Sequence, residues 1–311
     1  ILLPFFLFQD SNFMENQTSA AFVQILAFSS CWGSYFIFSV VFFIIYLTGI
    51  IGNISIITVI CVDSNLHTPM YFFLCNLSCV DIIFTTITLP KLLDILLFGN
   101  NSMSAMQCYS QMYFYMCVAC TEDTLLSFMA YDRYVAICRP LHYHQMMNKK
   151  KYVLLIVTTW IAGCFNSLFL TLWVSQLTLC NPGKLYHFFC DVKAVLKISC
   201  STITFRIIIY ADTLLFGFCP FLLSVISYIK VIRIILSIRC SNGRRKAFST
   251  CSSHLIVLAM FYGSGMCTVM SPYSAHSEGL DQGFSVLYAA VTPMLNPIIY
   301  SLRNKEVKTA L

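Results

Sequence analysis

Apolar residues run along this chain in seven long stretches, separated by short segments where polar and charged residues gather. The stretches cover roughly 36–61, 70–92, 106–138, 151–174, 205–236, 247–271 and 284–302. A helix that crosses a bilayer needs about 20 apolar residues, so the pattern predicts seven transmembrane helices. The third and fifth are long because their inner ends should run past the bilayer. No sequence period repeats, so an inverted-repeat transporter gains no support.

Composition points the same way. Of 311 residues, 58% are hydrophobic and only 10% are charged; soluble domains carry about 25% charged residues. A soluble fold this apolar would expose adhesive patches, so a membrane protein is expected. Aromatic residues, at 15%, suit interfacial belts and apolar pockets. The net charge of +6 raises the question of nucleic acid, but the cations sit in short clusters rather than along one face.

Those clusters set the orientation. Arg133, Arg139 and Lys149 to Lys151 follow the third stretch. Lys230, Arg233, Arg239, Arg244, Arg245 and Lys246 lie around the gap between the fifth and sixth, and Arg303, Lys305 and Lys308 follow the seventh. Fourteen of the 19 Lys and Arg residues therefore share one side, which should be cytoplasmic. An odd number of spans then puts the N-terminus outside. Asn16-Gln17-Thr18 is a glycosylation sequon on that outer side. The chain reads as one receptor domain over 1–311: an outer segment at 1–35, a bundle at 36–302 and a cytoplasmic tail at 303–311. The tail should form a short amphipathic helix whose cations meet anionic lipid.

Ionisable groups inside a membrane are costly and mark function by default. Asp132 and Arg133 form a charged pair at the inner end of the third stretch. The bland alternative is a helix-end ion pair that snorkels to the interface. Asp81 and Glu122 fall near the middle of the second and third stretches, where Asn53 and Asn296 can supply hydrogen bonds. They read either as an ion site or as neutral carboxyls in a structural network. Asp123 cannot share the direction of Glu122, because successive helix residues point about 100° apart. It faces a ligand cavity or a neighbouring helix, and the sequence does not decide. Pro293 and Pro297 interrupt the last stretch and each removes a backbone hydrogen bond.

Most of the 16 cysteines lie in the apolar stretches and read as small buried hydrophobes. Cys117 and Cys120 form a CxxC with no second ligand pair. Cys108, Cys180, Cys190 and Cys200 fall on the outer side and allow three connectivities, with Cys31 left over. No nucleotide loop, zinc motif or catalytic triad is evident, so no enzyme is expected.

Six blocks carry a resemblance. They are Gly52-Asn53, LHTPMYFFLCNLSCVDI at 66–82, MAYDRYVAICRPLHY at 129–143, Ser227-Tyr228, KAFSTCSSHL at 246–255 and PMLNPIIYSLRNKEV at 293–307. In this order they resemble the olfactory branch of the rhodopsin-like G-protein-coupled receptors, and they cover the chain from Met14 onward. The resemblance implies an all-α, seven-transmembrane helix bundle and treats residues 1–13 as an upstream extension, with a cleaved leader as the alternative. It picks the disulfides Cys108–Cys190 and Cys180–Cys200, which would hold the second outer loop, with its His187-Phe188-Phe189-Cys190-Asp191 motif, as a lid.

It also assigns roles. Asp132, Arg133, Tyr134, Tyr228, Lys246, His254, Asn296, Pro297 and Tyr300 become the activation and G-protein-coupling set. Asp81 and Glu122 line a pocket for sodium and water, with no other cofactor. Tyr115, Met116, Ala119, Cys120, Asp212, Phe216, Tyr262, Gly265, Met266, Val269, Val286 and Ala289 become the ligand contacts. Most are apolar and suit a small odorant held by shape; Asp212 can pair with an amine or bond an oxygenated ligand. Asp123 departs from the family pattern, in which a small or apolar residue is usual.

The implied partners are an odorant, a stimulatory olfactory-type G protein that raises cyclic AMP, and membrane lipid, but not nucleic acid. The implied place is the plasma membrane, in the cilia of olfactory sensory neurons. A chemosensory receptor outside the nose, a channel or transporter, and a nonfunctional relict are the alternatives. The intact DRY and NPIIY segments weigh against the channel.

Overall fold

The computed structural model describes residues 22–28, 33, 35–177, 184–200, 203–270, 278–303 and 307. Residues 1–13, Asn16, Cys31, Cys180 and most of the expected tail helix lie outside the described residues, as do the side chains of Lys246 and Val269.

Seven long helices fall on the seven expected stretches. They are α1 (Tyr35–Val62), α2 (Pro69–Phe98), α3 (Ala105–Cys138) and α4 (Lys149–Ser175). Then α5 runs from Ile203–Asp212 through a π-helical segment at Thr213–Phe218 to Cys219–Ser237. The sixth, α6, is Ser241–Met270, and α7 runs from Glu278–Val286 through a π segment at Leu287–Val291 to Thr292–Arg303. Three bounds differ from expectation by about six residues: the end of α2, the start of α6 and the start of α7, which begins at Glu278 rather than at 284. α2 continues past residue 92 because its charges are satisfied locally: Lys91 Nζ donates to Asp94 Oδ2 at 2.8 Å and to the Asn100 carbonyl at 2.9 Å. It ends at Gly99, whose φ of 67° suits glycine and whose N–H closes onto the Ile95 carbonyl. α6 starts six residues early, at Ser241, because its exposed first turns carry the basic residues Arg244 and Arg245 rather than apolar ones.

Large apolar side chains such as Phe43, Ile54, Leu154, Phe165, Ile207 and Leu222 are exposed on the outer faces of α1, α4 and α5. Polar ones, including Asn53, Asp81, Glu122, Asp123, Asp132 and Asn296, are buried. This is the arrangement that lipid selects. Among the described residues, five helices are apolar and long enough to cross a membrane by composition alone, and α3 and α6 are not among them. α3 resolves its polarity by position, because α2, α4 and α5 pack around it and α6 touches it.

Helices approach closely at two glycines. A Cβ on Gly163 of α4 would sit 2.6 Å from Thr121 Oγ1 on α3, and one on Gly52 of α1 would sit 2.9 Å from Pro297 Cγ on α7. The Gly52 contact accompanies a repair. Pro297 lacks the N–H that the Pro293 carbonyl would accept, and Asn53 Nδ2 supplies the missing donor at 3.1 Å.

The outer end carries a small sheet that the apolar pattern does not announce, because strands this short have no readable period. Strands β1 (Phe22–Ile25), β2 (Ser102–Ser104) and β3 (Lys184–Leu185) take the order β2-β1-β3. β1 pairs antiparallel with β2, Phe22 opposite Ser104, and parallel with β3, Gln24 opposite Lys184. The Cys108–Cys190 disulfide joins α3 to the second outer loop with Cα atoms 5.3 Å apart. Cys200 is also disulfide-bonded.

Gly52→Val should overpack the α1–α7 contact, and Asn53→Ala should orphan the Pro293 carbonyl. Each is expected to destabilise the receptor by about 1–3 kcal/mol, read as a lowered thermal midpoint of the purified protein in detergent. An unchanged midpoint in both would show that this contact does not hold α7.

Candidate functional site

Beneath the outer lid lies a cavity of about 490 Å³, lined mainly by apolar side chains of α3, α5, α6 and the loop before α5. Nine of the expected ligand residues line it: Tyr115, Met116, Ala119, Cys120, Asp212, Phe216, Tyr262, Gly265 and Met266. Val286 and Ala289 do not. Val286 immediately precedes the π segment at Leu287–Val291, and Ala289 lies inside it. Tyr288 lines the cavity instead, while Ala289 is fully buried.

The expected set lacks Asp123, Asn166, Asp191 and Lys193, all of which line the cavity. Asp123 was legible: it stands four residues after Ala119 and three after Cys120, on the same helix face. It accepts a hydrogen bond from Tyr262 Oη at 2.6 Å. Tyr262 also lies 3.4 Å from Ser224 on α5, so one contact chain links α3, α6 and α5. Cys117 points elsewhere, toward Cys164 of α4 at 3.5 Å, so the CxxC does not act as a pair.

The lid is tied down from several sides. Phe188 and Phe189 are buried, and the Phe189 ring centroid lies 4.6 Å from that of Tyr115. Gln111 Oε1 accepts the Cys190 N–H at 2.9 Å, while its Nε2 donates to the Ile87 carbonyl of α2. Asp191 caps a short helix, Val192–Ile198, by accepting the Ala194 N–H at 2.5 Å. From that helix Lys193 and Lys197 both reach Asp281 of α7, at 2.7 and 2.9 Å. His187 Nε2 sits 3.0 Å from Ser285 Oγ, and burial holds its imidazole pKa below the ordinary 6.5.

Deeper in the bundle, Asn296 Nδ2 donates to both Asp81 carboxylate oxygens, at 3.2 and 3.0 Å. Glu122 lies within electrostatic reach of Asp81. Asn53 Oδ1, Glu122 Oε1 and Asn296 Oδ1 are buried without a hydrogen-bond partner among the described residues. The cluster therefore combines carboxylates with unfilled acceptor oxygens.

At the inner end, Asp132 is fully buried and Arg133 nearly so. Arg133 Nε donates to Asp132 Oδ2 at 3.0 Å, and its Nη2 contacts the same oxygen. Tyr143, on the short helix Tyr143–Met146, donates to Asp132 Oδ1 at 2.9 Å; burial and then the nearby Asp132 charge push its phenol up. This third partner comes from a loop, where no helical period could predict it. Tyr228 Oη bonds His254 Nδ1 at 2.7 Å, joining α5 to α6, rather than Arg133. Tyr300 Oη is buried without a partner among the described residues. Lys230 Nζ lies over the Tyr134 ring, 5.2 Å from its centroid.

Comparison with known proteins bears on this arrangement. A family model described as "Olfactory receptor" matches residues 42–311. Olfactory receptor 7C1 of Homo sapiens is 43% identical over 297 residues, covering 95% of this chain and 93% of the relative. Olfactory receptor 10A7 of Homo sapiens is 43% identical over 301 residues, covering 96% and 94%. Olfactory receptor 1 of Rattus norvegicus is 43% identical over 276 residues, covering 88% of each. The fold is similar to the crystal structure of squid rhodopsin, with a TM-score of 0.71, 16% identity, and 90% of this chain and 84% of that chain covered.

The lowered His187 pKa gives a pH dependence with a fixed sign. The native lid keeps the ring neutral, whereas the unfolded chain takes up a proton below 6.5. Stability from this group is complete above that pH and is lost as pH falls toward the lowered native value. The thermal midpoint should drop on acidification from about pH 7 to about pH 5, and His187→Asn should make the drop shallower. An equally steep drop in the variant would remove His187 from the account.

Proposed function

The chain belongs to the olfactory receptor family, and from that premise we propose how this odorant receptor works. The cavity lined by Tyr115, Met116, Cys120, Phe216, Tyr262 and Met266 receives a small, mostly apolar odorant. Its apolar walls and volume of about 490 Å³ suit recognition by shape with a few polar contacts. The observation that carries this reading is continuity. α3 lines the cavity at Cys120 and Asp123 and, about two and a half turns beyond Asp123, carries the Asp132–Arg133 pair.

As a member of this family the protein is a multi-pass plasma-membrane receptor of a non-enzymatic class. In our reading it forms one domain, with its N-terminus outside and its basic loops in the cytoplasm. Asp132 and Tyr143 hold Arg133 at rest; odorant binding favours a second state in which α6 moves outward and Arg133 helps form the G-protein cleft. Tyr228, His254, Asn296, Pro297 and Tyr300 repack in that step. The partner is a stimulatory olfactory-type G protein, the output is cyclic AMP, and the place is the cilium of a sensory neuron. Asp81, Glu122, Asn53 and Asn296 present the hard oxygen donors that suit a sodium ion, which would stabilise the resting state by neutralising the buried carboxylates.

The test uses cells that supply the olfactory G protein. Asp132→Asn should raise basal cyclic AMP by about fivefold or more, as expected for loss of a resting-state contact. Arg133→Ala should abolish odorant responses at equal surface expression. Full signalling by Arg133→Ala would refute the coupling assignment.

A further inference from the structure

The cavity holds more acid than it neutralises. Four charged side chains line it: Asp123, Asp191, Lys193 and Asp212. Two are already engaged. Asp191 caps the lid helix, and Lys193 is held by Asp281 at 2.7 Å and donates to the Thr268 carbonyl at 2.6 Å. Asp123 and Asp212 remain, and neither makes an ion pair among the described residues. Asp123 is only 7% exposed, and what it exposes faces the cavity. Its single hydrogen-bond donor among the described residues is the Tyr262 hydroxyl, on Oδ1, which leaves Oδ2 open. Asp212 has the neutral amide of Asn166 beside it. The two carboxylates line the same cavity, from α3 and α5, and both lie within electrostatic range of the Cys120 thiol.

A buried carboxylate without a cation is costly, and two facing one cavity also repel each other. A ligand that brings positive charge relieves both costs; an alcohol donates one hydrogen bond but leaves both charges in place, and a hydrocarbon relieves neither. We propose that the cavity takes a small organic amine, its ammonium held by Asp123 and Asp212 and its apolar body against Tyr115, Met116, Phe216 and Met266. This rests on the odorant-receptor reading and adds the ligand's chemical class. The ammonium donates to Asp123 Oδ2 and to the Asp212 carboxylate while Tyr262 keeps its bond to Asp123. The amine therefore engages α3 and α5 directly and α6 through Tyr262.

The test compares primary amines, butyl to octyl, with alcohols of equal length. Two readouts are used: cyclic AMP in cells, and the thermal midpoint of the purified full-length receptor. Amines should act at concentrations about 10- to 100-fold lower than matched alcohols, the scale of a charged hydrogen bond. Asp123→Asn and Asp212→Asn should each weaken the amines by more than the matched alcohols and so remove most of that advantage, and Asp212→Glu should keep part of it. Alcohols equal to amines, no amine effect on the wild-type midpoint, or variants that weaken both series alike would each overturn the proposal. A receptor that answers neutral odorants but not amines keeps the odorant-receptor reading and loses this one. Amine binding without cyclic AMP supports the amine site and counts against the coupling assignment. If an Asn variant does not reach the surface, the amine-to-alcohol comparison on the wild-type receptor decides.

Discussion

Charge cannot be left facing lipid, and this constraint organises the whole bundle. α3 carries Glu122, Asp123, Asp132 and Arg133, and all four are withdrawn from the surface. A helix so polar is stable at membrane depth only if other helices surround it. α2, α4 and α5 do so, close enough at Gly163 that a side chain would collide with Thr121. Once α3 is central, the rest of the site follows. Its outer half becomes a cavity wall, its middle meets the Asp81 cluster and its inner end presents Arg133.

The broken helices serve the same constraint. Pro297 frees a carbonyl in α7, and Asn53 of α1 satisfies it. That bond and the Gly52 contact hold the kinked segment against α1, next to Asn296 and its bonds to Asp81. The inner end of α7 brings Tyr300, buried without a partner among the described residues, within electrostatic range of Arg133. In the proposed mechanism, a ligand favours a second packing of these groups.

The helices were legible in the sequence because apolar runs of membrane length leave few alternatives. Part of the cavity wall was legible too: nine of the expected positions, on α3, α5 and α6, line it. Reading was less complete on α7 and in the loops. On α7, Tyr288 lines the cavity and Val286 and Ala289 do not. The outer sheet, the Lys193–Asp281 and Lys197–Asp281 ties and the Tyr143 contact all involve loops or short elements, whose partners depend on the finished fold. Asp123 was a different case: its helix face followed from its spacing, but its partner, Tyr262, lies 139 residues away.

In the proposed mechanism, buried contacts around Asp132 keep the inner end of the bundle closed. The most direct measurement is the distance between spin labels at the inner ends of α3 and α6, in purified receptor with and without Asp132→Asn. A longer, broader distance distribution is expected in the variant, reflecting a population with α6 moved outward. An identical distribution in both proteins would contradict it and reduce the Asp132–Arg133 pair to a static helix-end contact.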